Sequence, residues 1–175
     1  MIERIAFSGY KGSGKSTAAR FLAYRMNGIH LSFATPIRDM AETFLFQFNI
    51  DPGMYDKEDP LPLPGEPSFR KLCQTLGTEW GRELISKEIW IEVLRAKIRR
   101  QSPPQTPIFI DDLRFPDEAE MLRQEGFKIV YLYRGNPEDP HESESMISEV
   151  PHDYVIVNRK DVLHLKDRLI DLIRR

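Results

Sequence analysis

Residues 9–16 read Gly9-Tyr10-Lys11-Gly12-Ser13-Gly14-Lys15-Ser16 and match the pattern G-x-x-x-x-G-K-[ST]. The stretch directly follows a predicted strand, Arg4 to Ser8, and it opens a helix predicted to begin near Gly14 or Lys15 and to end around residues 27–28. Glycines let the backbone bend so that successive N–H groups surround a phosphate, and the start of the helix adds partial positive charge. The sequence therefore predicts a nucleotide-binding loop in an α/β fold.

Two side chains at the end of this loop have specific chemical uses. We expect Lys15 to reach the β- and γ-phosphates of a nucleotide, and the Ser16 hydroxyl to bind Mg²⁺. A turn that only joins a strand to a helix has no need of both residues after the last glycine. A GTP-specific switch would carry Asn-Lys-x-Asp after a late strand, whereas residues 158–161 read Asn-Arg-Lys-Asp. A small kinase therefore fits the loop and the length of the chain better.

The composition is typical of one soluble domain. The 175 residues include 25 basic and 27 acidic side chains, a net charge of −2, and 41% hydrophobic residues. A chain of this length buries roughly 70% of the surface that its unfolded form exposes, so it needs no disulfide, in agreement with its single cysteine, Cys73. The near-zero charge argues against a nucleic-acid polymer as partner. No apolar run approaches the ~20 residues that cross a bilayer and no export signal is evident, so we expect a cytoplasmic protein without a membrane partner.

Apolar runs of strand length alternate with helical patterns, which favours a parallel sheet covered by helices. Further strands are predicted at residues 29–33, 107–111, 128–134 and 154–157. Further helices are predicted at residues 68–76, 87–100, 116–125 and 161–175, the last with an apolar face that packs and can also support a homodimer. One more helix is expected after Pro36, with three apolar residues: Met40, Phe44 and Phe48. The buried face of the first helix is expected to hold Ala18, Phe21, Leu22 and Met26.

The segment Asp51 to Pro67 differs in composition from the rest of the chain. It holds five prolines, five acidic residues and one basic residue. Prolines at this density leave little room for a helix or a strand. We therefore expect an irregular, mobile insertion.

Two carboxylates follow the strand predicted at residues 107–111. Asp111 and Asp112 lie at its C-terminal end, which is the edge where an open α/β sheet binds its ligands. Beside the phosphate loop, either carboxylate could hold Mg²⁺ through water or accept a hydrogen bond from a substrate. The alternative is a strand-end turn with an ion pair between Asp112 and Arg114.

Arginines are the expected partners of phosphate groups. Transfer between two phosphorylated molecules needs positive charge around both, because their oxygens are anionic and must approach in line. The planar guanidinium binds phosphate oxygens in pairs. The candidates are Arg38, Arg70, Arg82, Arg114 and Arg134. For any one of them, a surface ion pair is the alternative.

Several blocks of sequence carry a family likeness. The first four are Phe7-Ser8-Gly9-Tyr10-Lys11-Gly12-Ser13-Gly14-Lys15-Ser16-Thr17, Phe33-Ala34-Thr35-Pro36-Ile37-Arg38, Arg70-x-x-x-Gln74-x-x-Gly77-Thr78-Glu79-x-Gly81-Arg82, and Asp112-Leu113-Arg114-Phe115-Pro116-Asp117-Glu118-Ala119-Glu120. Later blocks are Arg134, His141-Glu142-Ser143-Glu144 and Asp153-x-x-Ile156-x-Asn158. Together they resemble the deoxynucleoside monophosphate kinases of tailed bacteriophages, over most of the chain.

This resemblance implies a P-loop nucleoside monophosphate kinase fold, a three-layer sandwich with a parallel sheet of about five strands. It implies one domain over residues 1–175, with residues 51–67 in a mobile acceptor-binding region and a lid at about residues 134–150. The implied reaction transfers the γ-phosphoryl group of ATP to a deoxynucleoside monophosphate, with Mg²⁺. A kinase of phosphomevalonate or dephospho-coenzyme A, and a P-loop ATPase switch, are the alternatives.

The resemblance also assigns roles by position. The ATP-binding residues are Gly9, Lys11, Gly12, Ser13, Gly14, Lys15, Ser16 and Thr17. The metal ligands are Ser16 and Asp112, since Asp112 matches the family's acid better than Asp111. The acceptor-binding residues are Arg38, Arg70, Gln74, Glu79, Trp80 and Arg82. The catalytic residues are Lys15, Arg82, Asp112, Arg114 and Arg134. The chain departs from the family's pattern at Arg38, where we expect Lys, at Asp117, where we expect Asn, and in residues 51–67, which match it least.

Overall fold

A computed structural model describes residues 4–101, 105–134, 149–159 and 161–174 of the chain. It contains a five-stranded, all-parallel sheet with the strand order β2-β3-β1-β4-β5. The strands are β1 (Arg4–Ser8), β2 (Ile29–Leu31), β3 (Ile108–Ile110), β4 (Lys128–Tyr133) and β5 (Tyr154–Val157). All five coincide with predicted strands, although β2, β3 and β4 are shorter. The α/β prediction is therefore confirmed.

The α-helices are α1 (Lys15–Arg25), α2 (Thr35–Phe46), α3 (Phe69–Thr75), α4 (Ile89–Arg99), α5 (Pro116–Gln124) and α6 (Val162–Ile173). Each of them overlaps a helix predicted from the sequence. A π-helical segment, Leu76–Ile85, continues directly from α3 and was not predicted. Its glycines, Gly77 and Gly81, lower helix propensity and conceal it from a propensity argument.

The main core forms on the sheet because its central strands are apolar on both faces, as buried parallel strands are. Ile5 and Phe7 of β1 and Phe109 of β3 are fully buried. Helices α1 and α6 cover this core with Leu22, Leu165 and Leu169. The buried face of α1 differs from the prediction, since Phe21 and Met26 are only partly buried while Ala19 and Ala23 are inside. Small alanines let the helix backbone approach the sheet closely.

Phe33–Leu94 form one compact unit, and the described residues on either side form another. We call them the helical unit and the sheet unit. The expectation of one kinase domain over residues 1–175 stays a prediction. Among the described residues, no helix is long and apolar enough to cross a membrane.

Helix α2 of the helical unit turns an unexpected side to solvent. Phe44 is about half exposed and Met40 is 36% exposed, and Phe48, two residues beyond the end of the helix, is also about half exposed. The two phenylalanine rings contact each other edge to face, with centroids 5.3 Å apart. The buried side of the helix carries Ala41 and Leu45 instead. The prediction of a helix here is right, but its conspicuous apolar residues are not its core.

The proline-rich segment 51–67 is part of this unit. It contains a turn of 3₁₀ helix at Pro52–Met54 and a bridge between Pro60 and Ser68. Leu61 and Leu63 are buried with Leu45 and Ile50 in a small second core. Leu61 and Leu63 therefore anchor this segment to the rest of the helical unit.

Candidate active site

The phosphate loop lies between β1 and α1, and its conformation depends on glycine. Gly9, Gly12 and Gly14 have φ angles of 136°, 78° and 104°, in a region that side-chain-bearing residues rarely adopt. At Gly9 a β-carbon would also lie 2.4 Å from the Leu132 carbonyl oxygen. The loop is therefore held tightly against β4, and the glycine spacing noted in the sequence has a steric cause.

The side chains of Lys15 and Arg134 donate hydrogen bonds to carbonyl oxygens of this loop. Lys15 is the first residue of α1, and its Nζ donates to the carbonyl oxygens of Gly9 and, at 2.9 Å, of Tyr10. Arg134, which directly follows β4, donates from Nη1 to the Gly12 carbonyl oxygen at 3.1 Å. The structure thus brings together two of the predicted catalytic residues, although they are 119 positions apart in the sequence, since 134 − 15 = 119.

A buried hydroxyl lies inside the loop. Ser13 is 1% exposed, and its Oγ has no hydrogen-bond partner among the described residues. Its backbone N–H donates to the Tyr10 carbonyl oxygen, which closes the turn. Buried polar atoms are nearly always paired in a protein, so an unpaired one beside three glycines fits a loop that receives a polar ligand. The other predicted loop residues, Lys11, Ser16 and Thr17, are exposed.

The two aspartates after β3 have different surroundings. Asp111 is buried, and its Oδ1 lies 2.9 Å from Nε2 of His30. Asp112 is half-buried, and its Oδ2 accepts a 2.9 Å hydrogen bond from the hydroxyl of Ser32, which follows β2. Because β3 is paired in parallel with β1, Asp112 and the phosphate loop lie at the same edge of the sheet. The more accessible carboxylate is the one that the family resemblance favours.

Arg114 lies just before α5, in a turn whose backbone is held by Glu118. The Glu118 carboxylate is buried and accepts hydrogen bonds from the N–H groups of Arg114 and Phe115, at 3.0 and 3.2 Å. The side chain of Arg114 is exposed. Asp117, which replaces an expected Asn, accepts from the N–H of Glu118 at 2.9 Å. An aspartate in the first helical turn also complements the helix dipole, so this departure from the family's pattern has a local role.

The predicted acceptor-binding residues all lie in the helical unit. Arg70 makes an ion pair with Glu58 of the 51–67 segment, with Nε 2.6 Å from Oε1. Its backbone N–H also donates to the Lys57 carbonyl oxygen at 3.0 Å. Arg38 is exposed in the first turn of α2, and Gln74 is exposed on α3. The acidic segment therefore contacts the predicted acceptor residue Arg70 directly through an ion pair.

The π-helical segment carries the remaining acceptor candidates. Glu79 is exposed, and a hydrogen bond from the Thr75 hydroxyl, with a further contribution from the Lys71 ammonium, lowers the pKa of its carboxyl group. Trp80 is 38% exposed, whereas Arg82 is half-buried. Glu79 is therefore ionised at neutral pH, which suits an acceptor of hydrogen bonds from a sugar or a base.

Three side chains that no sequence argument placed in the site contact its members. Ser32 holds Asp112, Asn158 donates to the Ser13 carbonyl oxygen at 2.8 Å, and Trp90 packs against the π-helical segment. Ser32 and Asn158 each follow a strand of the parallel sheet, which is the signal that identifies candidates at this edge. The expected lid lies outside the described residues except for Arg134 and residues 149–150, and so do residues 141–144.

Comparisons with known proteins agree on one class of enzyme. A family model described as deoxynucleotide monophosphate kinase matches residues 62–169, which is more than half of the chain. A putative deoxynucleotide monophosphate kinase of Acanthamoeba polyphaga mimivirus is 28% identical over 186 residues, covering 97% of this chain and 95% of the relative. The deoxynucleoside-5'-monophosphate kinase of Escherichia phage T5 is 42% identical over 57 residues, which are 33% of this chain and 22% of the relative.

Solved structures support the fold. Dephospho-CoA kinase from Campylobacter jejuni superposes with a TM-score of 0.56 at 10% identity, covering 99% of this chain and 96% of the other. Shikimate kinase from Acinetobacter baumannii gives 0.51 at 19% identity, with 99% and 93% covered. Identities this low show the P-loop kinase fold and not the substrate. With the family match over residues 62–169, the chain belongs to the deoxynucleotide monophosphate kinase family, whose members use ATP and nucleotide substrates.

Proposed function

We propose that the protein transfers the γ-phosphoryl group of ATP to the phosphate of a deoxynucleoside monophosphate, giving ADP and a deoxynucleoside diphosphate, with Mg²⁺ as cofactor. One observation carries most weight. The glycine-dependent loop with an unpaired buried Ser13 hydroxyl is held by Lys15 and Arg134, and it occurs in a chain of the deoxynucleotide monophosphate kinase family. The family match favours this reaction over a kinase of another metabolite and over an ATPase switch.

The sheet unit supplies the residues for ATP. The loop N–H groups, from Gly9 to Thr17, surround the phosphates of ATP, and the N-terminus of α1 adds partial positive charge. Lys15 exchanges the carbonyl oxygens of Gly9 and Tyr10 for phosphate oxygens. Arg134 does the same from the Gly12 carbonyl oxygen. Both cations then neutralise charge that develops on the transferred group, and Arg114 is a third candidate for this task.

Ser16 and Asp112 are the residues that would hold Mg²⁺. Bound Mg²⁺ would neutralise phosphate charge and orient the oxygens of ATP. The donor set fits the metal, because Mg²⁺ prefers oxygen ligands and keeps waters and substrate phosphates in its shell. Among the residues that the structure describes, no cluster of three or more His, Cys, Asp or Glu could bind a metal alone. A site of one hydroxyl and one carboxylate, completed by the nucleotide, agrees with this.

The helical unit supplies the residues for the acceptor. Arg38, Arg70 and Arg82 bind its phosphate, while Gln74, Glu79 and Trp80 contact its sugar or base. A phosphate monoester is already ionised near neutral pH, so the reaction needs charge neutralisation and alignment and not a strong general base. The bound phosphate competes with Glu58 for Arg70, since both present oxygens to the same guanidinium. A homodimer and a cytoplasmic location remain predictions.

A coupled assay of ADP production tests this function. The protein is incubated with ATP and Mg²⁺ alone and with each deoxynucleoside monophosphate in turn; ribonucleotides, phosphomevalonate and dephospho-coenzyme A serve as comparison acceptors. We expect at least one deoxynucleoside monophosphate to stimulate ADP release strongly, at a turnover of about 1–100 s⁻¹. ADP release that no acceptor stimulates would contradict the proposal. A preference for either comparison metabolite would assign the chain another substrate.

A further inference from the structure

Asn158 connects the end of β5 to the phosphate loop. It is only 5% exposed, and its Nδ2 donates a 2.8 Å hydrogen bond to the Ser13 carbonyl oxygen. Its own backbone N–H donates to the Tyr133 carbonyl oxygen at 2.7 Å, which fixes it to the end of β4. Asn158 therefore connects the ends of two neighbouring strands to the middle of the phosphate loop.

The phosphate loop leaves space for the Asn158 side chain at Gly14. Gly14, with a φ angle of 104°, faces Asn158, and a β-carbon there would lie 2.9 Å from Nδ2 and 3.1 Å from Cδ2 of Leu165. Asn158 and Leu165 therefore fill the space that Gly14 leaves. The missing side chain at Gly14 permits the close contact as well as the unusual backbone angle.

The hydrogen bond fixes the direction of a peptide plane. In a trans peptide the C=O and the following N–H point in opposite directions within one rigid plane. When Asn158 holds the Ser13 carbonyl oxygen, the N–H of Gly14 must point away from Asn158. In a phosphate-binding loop this is the direction in which a backbone N–H is useful to an anion.

The chemistry of the amide suits this position. The carboxamide is neutral, so it donates to a buried carbonyl without adding charge under the phosphates. Its Oδ1 has no hydrogen-bond partner among the described residues, and the opposite amide orientation would set two oxygens against each other. An aspartate would have the same size but no donor, and it would add negative charge near an anionic ligand.

We propose that Asn158 is a positioning residue of the ATP site, acting through the Ser13 peptide to aim the Gly14 N–H at a phosphate. This role rests on the proposed function, since it presupposes that ATP binds to the loop. It assigns a task in ATP binding to the segment after β5, whose sequence departs from the GTPase pattern and forms part of the family likeness. It makes no contribution to acceptor binding.

The test compares binding of the two substrates. Isothermal titration with ATP in the presence of Mg²⁺, and separately with a deoxynucleoside monophosphate, is carried out on wild type, Asn158→Ala, Asn158→Ser and Asn158→Asp. We expect Asn158→Ala to raise the Kd for ATP about 10-fold, as the loss of one buried donor does, while the Kd for the monophosphate changes less than about twofold. Asn158→Ser, which keeps a hydroxyl donor, falls between wild type and alanine. Asn158→Asp has the largest effect.

Ile156→Ala is the matched control, because Ile156 is equally buried on β5 but belongs to the apolar core. It lowers the melting temperature without a selective loss of ATP affinity. ATP affinity in Asn158→Ala equal to wild type, or reduced no more than in Ile156→Ala, would overturn the role of Asn158 and leave the proposed function intact. Wild-type protein that binds no ATP would overturn both the role of Asn158 and the proposed function. If Asn158→Ala fails to fold, Asn158→Ser takes its place in the comparison with Ile156→Ala.

Discussion

Gly81 lies against the indole ring of Trp90 so closely that a β-carbon at Gly81 would fall 2.6 Å from Cζ2. The same indole donates from Nε1 to the Gly77 carbonyl oxygen at 2.7 Å. Trp90 is 4% exposed, so its ring has little freedom to move aside. Gly81 of the Gly-Thr-Glu-x-Gly-Arg block therefore meets a packing requirement, whereas Gly77 supplies a carbonyl oxygen to the same ring. Arg82 directly follows Gly81 in the sequence.

Gly81→Ala should destabilise the protein. Although alanine favours a helix over glycine by about 1 kcal/mol, overpacking against a buried ring costs about 1–3 kcal/mol, and the clash wins. The free energy of unfolding, measured by urea denaturation, should fall. Thr78→Ala is the control, since Thr78 is exposed in the same segment. Equal unfolding midpoints for Gly81→Ala and wild type would show that the ring is not fixed.

Local sequence patterns were sufficient to predict the strands and the phosphate loop, because short runs of apolar residues and glycines determine both. They were not sufficient where tertiary packing overrides propensity. The segment Leu76–Ile85 is helical although it holds two glycines, since Trp90 lies against them. Met40 and Phe44 are the conspicuous apolar residues of α2, yet the helix buries Ala41 and Leu45.

The same limit applies to the candidate site. Its loop, its carboxylates and its arginines are residues with characteristic chemistry, and they could be named from the sequence. Ser32 and Asn158 are ordinary polar residues, far in sequence from Asp112 and Ser13, which they contact. Only the pairing of parallel strands brings them to one edge of the sheet.

Lys15→Ala should reduce kcat by at least about 100-fold, the loss that follows removal of one well-placed donor to a charged transition state. Its effect on the unfolding midpoint should be small, because Lys15 is only partly buried on the loop. Lys128→Ala is the control, since Lys128 is exposed at the start of β4, the opposite edge of the sheet. Substantial turnover by Lys15→Ala in the coupled assay would rule out the assigned role.

Asp112→Asn and Asp111→Asn should affect different properties. Asp112→Asn removes the proposed metal ligand, so we expect kcat to fall and the Mg²⁺ concentration for half-maximal rate to rise about 10-fold or more. Asp111→Asn disturbs the contact with His30 and should lower stability while leaving the Mg²⁺ requirement near that of wild type. Titrations of the rate with Mg²⁺ at saturating ATP distinguish them. The reverse pattern would make Asp111 the ligand.

Arg70→Ala and Glu58→Gln should change acceptor use in opposite directions. Arg70→Ala removes a cation from the acceptor phosphate and should raise the KM for the monophosphate about 10-fold, the effect of losing a charge-assisted hydrogen bond. Glu58→Gln releases Arg70 from its 2.6 Å ion pair, so the phosphate no longer competes with a carboxylate and its KM should fall. Both side chains are well exposed, with 45% and 65% of their surfaces accessible, so the pair itself contributes only about 0–1 kcal/mol to folding.

Initial rates against monophosphate concentration, at low and at high salt, measure these changes. The gain in Glu58→Gln should be largest at low ionic strength, because salt screens an exposed carboxylate. Glu66→Gln controls for net charge, since it removes one exposed acid from the same segment while leaving Glu58 in place. A lower KM in both glutamine variants would indicate general charge repulsion by the segment. An unchanged KM in Arg70→Ala would remove Arg70 from the acceptor site, because a guanidinium that binds the phosphate cannot be deleted without loss of affinity.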